Sequence, residues 1–140
     1  MRKIALATLS YVVLSLLVAY PWHLVWFHDA YLQMGAVTRA EPIIPLGVLS
    51  MIIQGAVIAY LYPFYYRGGH PVAEGIKFTL IAGLLIYTVM GFATAAKFNI
   101  EPVSRFLLLH TVFQTIQFIV TGAALGMIFG RTASPRPSRG

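Results

Sequence analysis

Long apolar stretches separated by short polar punctuation dominate this chain. Four of them stand out, at about Ile4 to Phe27, Ile43 to Tyr65, Gly75 to Ala96 and Val103 to Phe129. Each is near the ~20 residues that a helix needs to cross a bilayer core of ~30 Å. None shows the period-2 alternation of a barrel strand, and lipid admits only helices or closed barrels because backbone polar groups find no water there. The pattern predicts an all-α fold: an integral membrane four-helix bundle over residues 1–130, followed by a tail over 131–140.

The polar punctuation refines each boundary. Arg2 and Lys3 precede the first stretch, as in a signal peptide. A signal core is only about 7–15 residues long and ends at a small-residue cleavage site. Here the apolar run continues through Tyr20-Pro21-Trp22, so it reads as a retained helix. It should bend near Pro21, which has no N–H for the Leu17 carbonyl. The tail, RTASPRPSRG, holds two prolines and three arginines and reads as a disordered basic segment on anionic headgroups.

Composition narrows the class. Of 140 residues, 59% are hydrophobic and 10% charged, with a mean hydropathy of +0.78. A soluble domain carries about 25% charged residues, so a soluble enzyme, a disordered protein and a nucleic-acid binder are all disfavoured. Ten basic residues against four acidic ones give +6, and their placement orients the helices. With both termini cytoplasmic, the inner segments hold Arg2, Lys3, Arg67, Lys77, Arg131, Arg136 and Arg139, and the outer loops only Arg39, Lys97 and Arg105. This asymmetry predicts N-in and C-in, with the 28–42 and 97–102 loops outside. The absence of cysteine excludes disulfides, thiolate metal sites and CxxC chemistry.

An internal repeat is suggested at an offset of 60 residues: Glu41-Pro42 recurs as Glu101-Pro102, and Gln54 as Gln114. Leu24, Ala36 and Leu49 likewise match Leu84, Ala96 and Leu109. Two hairpins related by an axis along the membrane normal would produce this. Each Glu-Pro pair also makes a good helix start, with proline in the first turn and a carboxylate at the positive end of the helix dipole. Stripes of small residues, above all Gly122, Gly126 and Gly130, would let backbones approach closely, within one chain or between copies in a homo-oligomer or larger complex.

Polar groups at membrane depth carry the candidate chemistry. His110, Gln114, Gln117 and Thr121 share one face of the fourth helix. Gln54 lies at a depth similar to that of Gln114. These side chains could join helices by hydrogen bonds or line a path. At the outer end, His23, His28, Asp29, Glu41, Glu101 and His110 are expected to converge, while Trp22, Trp26 and Tyr31 fit an interfacial aromatic belt. Three imidazoles with carboxylates could bind a metal, with His23, His28, Asp29 and His110 as ligands. However, His23 and His28 are five apart, about 140° apart on a helix, and no HExxH or ExxH motif exists. No metal or cofactor is therefore expected. There is no GxSxG, P-loop or GxGxxG, and no serine beside a His–acid pair, so the sequence points away from an enzyme.

The segments PWHLVWFHDAY, EPIIPLGVLSMIIQG and EPVSRFLLLHTVFQTIQF resemble small bacterial inner-membrane proteins of four spans that carry only a domain-of-unknown-function label. The resemblance covers nearly the whole chain except the tail. It implies fold and location, and brings no activity, cofactor or site residue.

Three functions are expected in descending order. The first is a non-enzymatic accessory subunit, or a binder of a lipid or small hydrophobic ligand. The second is a small oligomeric transporter or proton-coupled carrier using the His110, Gln114 and Gln117 face. The third is a membrane enzyme or metal protein using the outer histidines and carboxylates.

Overall fold

The structure, a computed structural model, describes residues 1–39 and 41–130. Helix α1 (Arg2–Pro21) runs into a π-helical turn, Trp22–Trp26, and is followed by the short α2 (His28–Gln33). Helix α3 spans Ile44–Tyr65. Helix α4 (Pro71–Tyr87) passes through a second π-helical turn, Thr88–Ala93, into α5 (Thr94–Lys97), and α6 spans Val103–Gly130. Four helical stretches, Arg2–Trp26, Ile44–Tyr65, Pro71–Lys97 and Val103–Gly130, are long and apolar enough to cross a bilayer. No strand occurs among the described residues.

The boundaries follow from local chemistry. Pro71 opens α4 four residues earlier than the apolar run suggested, because proline suits the first turn and its missing N–H is unpaired there in any helix. Lys77 Nζ donates to Glu74 Oε1 at 2.8 Å, a three-residue spacing that lets a helix carry both charges. At Pro21 the disruption expected in α1 takes the form of the π turn, in which the Phe27 N–H reaches the Trp22 carbonyl, 3.0 Å away. Helix α6 starts directly after Pro102, whose peptide bond to Glu101 is cis. In α3 the proline in the first turn is Pro45 rather than Pro42.

Helix α6 is the axis of the bundle. It packs along α4 on one side and α1 on the other; α1 also packs on α3, while α3 and α4 barely touch. Both hairpins repeat one order of elements: long helix, π turn, short helix, loop, long helix. Their mutual packing is unequal all the same, since a two-fold axis would make the α3–α4 contact match that of α1 with α6.

The distribution of side chains is inverted relative to a soluble bundle. Ser15, Thr79, His110, Gln114, Gln117 and Thr121 are buried. Leu9, Leu17, Ile53, Phe64, Ile81, Leu84, Leu85 and Leu108 are all more than half exposed. Water would punish both choices, whereas lipid favours them: large aliphatic groups face the acyl chains and polar groups pair inside. The chain is a multi-pass membrane protein.

The two ends of the bundle differ. Call the near end the one holding the N-terminus, the 66–70 turn and Gly130. There α4 and α6 approach until almost nothing separates their backbones. A Cβ on Gly75 would strike the Gly122 carbonyl, and one on Gly122 would strike Thr79 Oγ1. Thr79 Oγ1 donates to the Phe118 carbonyl across the contact at 2.7 Å. Gly126 and Gly130 close on Pro71 in the same way. Of the two alternatives that the sequence left open for Gly122, Gly126 and Gly130, the structure shows the one within the chain: α4 packs on this stripe.

At the far end the two loops hold each other. The Glu101 N–H donates to the Met34 carbonyl at 3.0 Å, and Met34 and Ile100 are each only 2% exposed. Gly35, with φ +73°, ends α2 where a side chain would press on the Asn99 carbonyl.

Candidate functional site: the far-end cavity

The far end encloses a cavity of about 580 Å³, within the range of small-molecule sites. Its floor is buried and aromatic, with Tyr31 (3% exposed), Phe106 (5%) and His110 (7%). Its rim is exposed and largely aliphatic, including Leu24, Leu32, Val37 and Met90. Arg39 also lines the rim and is exposed.

Both π turns open onto this space. The turn at Trp22–Trp26 supplies His23 and Leu24, and the turn at Thr88–Ala93 supplies Met90. A π turn inserts an extra residue into the helical register, so side chains beyond it are re-aimed, and such turns recur at functional sites. Here the widened register of α1 brings the His23 ring onto Phe113, with centroids 4.4 Å apart, and onto Tyr31 at 4.9 Å. His110 lies between Phe106 and Tyr87, at 5.4 and 5.9 Å, with nearly parallel planes. It therefore points inward, between α1 and α4, rather than toward α3.

Trp22 Nε1 donates to the Tyr31 hydroxyl at 3.2 Å. That bond leaves the Tyr31 proton for another acceptor. Burial pushes the Tyr31 hydroxyl above its ordinary pKa, against a smaller lowering by the Trp22 bond, so the group is a donor at neutral pH. Trp22 and Tyr31 are thus core residues, and of the expected aromatic belt only Trp26 stands exposed, at 67%.

His23, His28 and His110, three of the chain's four histidines, line the cavity. The carboxylates do not join them. Asp29, Glu41 and Glu101 are exposed and outside the lining. Asp29 sits in the first turn of α2, and the other two precede helices, where the dipole favours a carboxylate facing water. The expected convergence of six residues is corrected to three. Among the described residues no three His, Asp or Glu side chains gather as a metal site.

Below the cavity a file of polar groups leads toward the centre of the bundle. Gln114 Nε2 and His110 Nε2 are 3.4 Å apart. Gln117 Nε2 donates to Ser15 Oγ at 3.0 Å, joining α6 to α1. Thr121 Oγ1 donates back to the Gln117 carbonyl. Gln54 meets this file through Tyr11, which adjoins Ser15 and Gln117: it is half-buried, accepts from the Tyr11 hydroxyl at 3.0 Å and donates to Ser50. Among the described residues, Gln114 Oε1 is buried with no partner.

Sequence reasoning missed Tyr11, Ser15 and Tyr87, and gave Tyr31 and Arg39 other roles, as a belt residue and an outer-loop charge. Ser15 is separated from Gln117 by 102 residues, and no local pattern connects them. The basic tail lies outside the described residues. The chain matches no known protein family, no curated protein and no solved structure.

Proposed function

We propose that this membrane protein binds a small, predominantly apolar ligand in the far-end cavity without transforming it. The observation that carries the reading is that both π turns open onto one cavity. A bundle needs no π turn for stability, and two of them facing one space accord with a site kept open at the expense of regular helix. The aromatic floor offers flat apolar surface and the histidines offer hydrogen bonds, the usual make-up of a ligand site. Among the described residues no carboxylate lines the cavity and no metal cluster accompanies the histidines, which favours binding over catalysis.

The basic-residue asymmetry supports an orientation with both termini cytoplasmic. The cavity then opens at the outer leaflet of a bacterial inner membrane.

Filling the cavity tests the proposal. Trp22 adjoins the cavity through Tyr31, so 12-bromododecan-1-ol bound there should quench its fluorescence. In a Trp26→Phe background, where Trp22 is the sole tryptophan, quenching should saturate. Ala36→Phe, which places a ring in the cavity, should remove the saturable part while thermal stability stays near that of the parent. Saturable quenching that survives in Ala36→Phe contradicts the proposal.

A further inference from the structure

The polar groups around the cavity share one property. Arg39, His23, His28, His110, Tyr31 and Thr94 line it, and every one of these side chains can donate a hydrogen bond. No carboxylate and no amide is among them. The chain has four acidic residues; three of them flank this end of the bundle, yet all three face outward. Among the described residues, Arg39 is the sole Lys or Arg in the lining, and the Tyr31 oxygen accepts the Trp22 bond while its proton remains for another acceptor.

A lining with one fixed positive charge, several side chains able to donate and no carboxylate suits a ligand that brings acceptors and one negative charge. The rest of the wall is apolar, and its exposed rim at Leu24, Leu32 and Met90 meets the acyl region of a bilayer. A water-soluble anion would find too few polar partners to replace its hydration. A phosphomonoester head, at up to two negative charges, would exceed what one guanidinium balances. We propose that the cavity takes a single-chain amphiphile with one carboxylate, its head paired with Arg39 and its chain laid toward the apolar rim. This proposal rests on the ligand-binding reading above and names the class of ligand.

The full-length protein in phosphatidylcholine nanodiscs, with Trp26→Phe, provides the test at pH 8, where the carboxylate is ionised. Three probes are compared by quenching of Trp22: 12-bromododecanoate, 12-bromododecan-1-ol and 12-bromododecyl phosphate. Ala36→Phe defines quenching by probe dissolved in the lipid. The carboxylate should bind about tenfold more tightly than the alcohol, the scale of one charge-assisted hydrogen bond. Arg39→Gln, an exposed rim change of low folding risk, should erase that advantage by weakening the carboxylate's binding about tenfold more than the alcohol's. Equal affinity for acid and alcohol overturns the carboxylate assignment while the cavity remains a ligand site. So does an advantage that survives Arg39→Gln, or tighter binding of the phosphate. Failure of every probe to give saturable quenching overturns both readings together.

Discussion

The near and far halves of this bundle use opposite rules of packing. In the near half, α4 and α6 are separated by glycine and threonine, and their backbones touch. In the far half, the same helices are held apart by Tyr87, Phe106 and His110, and regular helix gives way to two π turns. Lipid supplies no hydrophobic drive for helices to associate, so close van der Waals contact and interhelical hydrogen bonds must do so. The near half concentrates those contacts. That concentration lets the far half stay open, because its separation is fixed by a clamp elsewhere along the same helices.

Breaking the clamp should have the largest effect. Gly122→Leu drives a side chain into Thr79 and the α4 backbone, and we expect a loss of about 3 kcal/mol or more. Thermal unfolding in detergent would measure it, and a parent-like midpoint would show that the helices are not in contact there.

Cutting the link between α1 and α6 should matter less. Gln117→Leu leaves Ser15 without its partner, at a cost of about 0.6–1.7 kcal/mol for an intramembrane hydrogen bond. A double-mutant cycle with Ser15→Ala would isolate the pair, and a coupling of zero would mean that the bond contributes nothing to the junction.

Changes inside the cavity should hardly disturb the fold. His110→Gln keeps a donor and an acceptor, so stability should stay within about 1 kcal/mol while 12-bromododecan-1-ol binds more weakly. If binding is unchanged and stability falls instead, His110 belongs to the clamp rather than to the site.

The smallest effect is expected at Gly47, where an added Cβ meets none of the described residues within 4 Å. Gly47→Ala should be neutral or stabilising by up to about 1 kcal/mol through helix propensity alone. Against Gly122→Leu, it separates a glycine that is packed from one that is not.

The contrast between the halves was only partly legible in the sequence. The four spans were, because apolar length is a local property: α3 starts one residue from its expected position, and α6 starts at Val103 as read from the Glu-Pro signal. The shared face of His110, Gln114, Gln117 and Thr121 was legible for the same reason, since helical spacing alone aligns them. The π turns were not. Pro21 signals trouble in α1, but Thr88–Ala93 contains no proline, and a change of hydrogen-bond register leaves no mark on hydropathy. The destination of Gly122 and Gly126 was illegible too, because a small-residue stripe looks the same whether its partner is α4 or another copy. Tyr31 was read as an interface anchor, whereas α2 turns it inward as a hydrogen-bonding core residue. Tertiary placement decided each of these cases.

The central claim, an open far-end site beside a packed core, can be tested with single cysteines, because the chain has none of its own. Ala36→Cys places a thiol in the cavity wall, and Ser15→Cys places one at a position that is 0% exposed. A small methanethiosulfonate reagent should modify Ala36→Cys rapidly and Ser15→Cys hardly at all, and 12-bromododecan-1-ol should protect the thiol at position 36. Equal reaction at both positions, or no protection at position 36, would contradict the account.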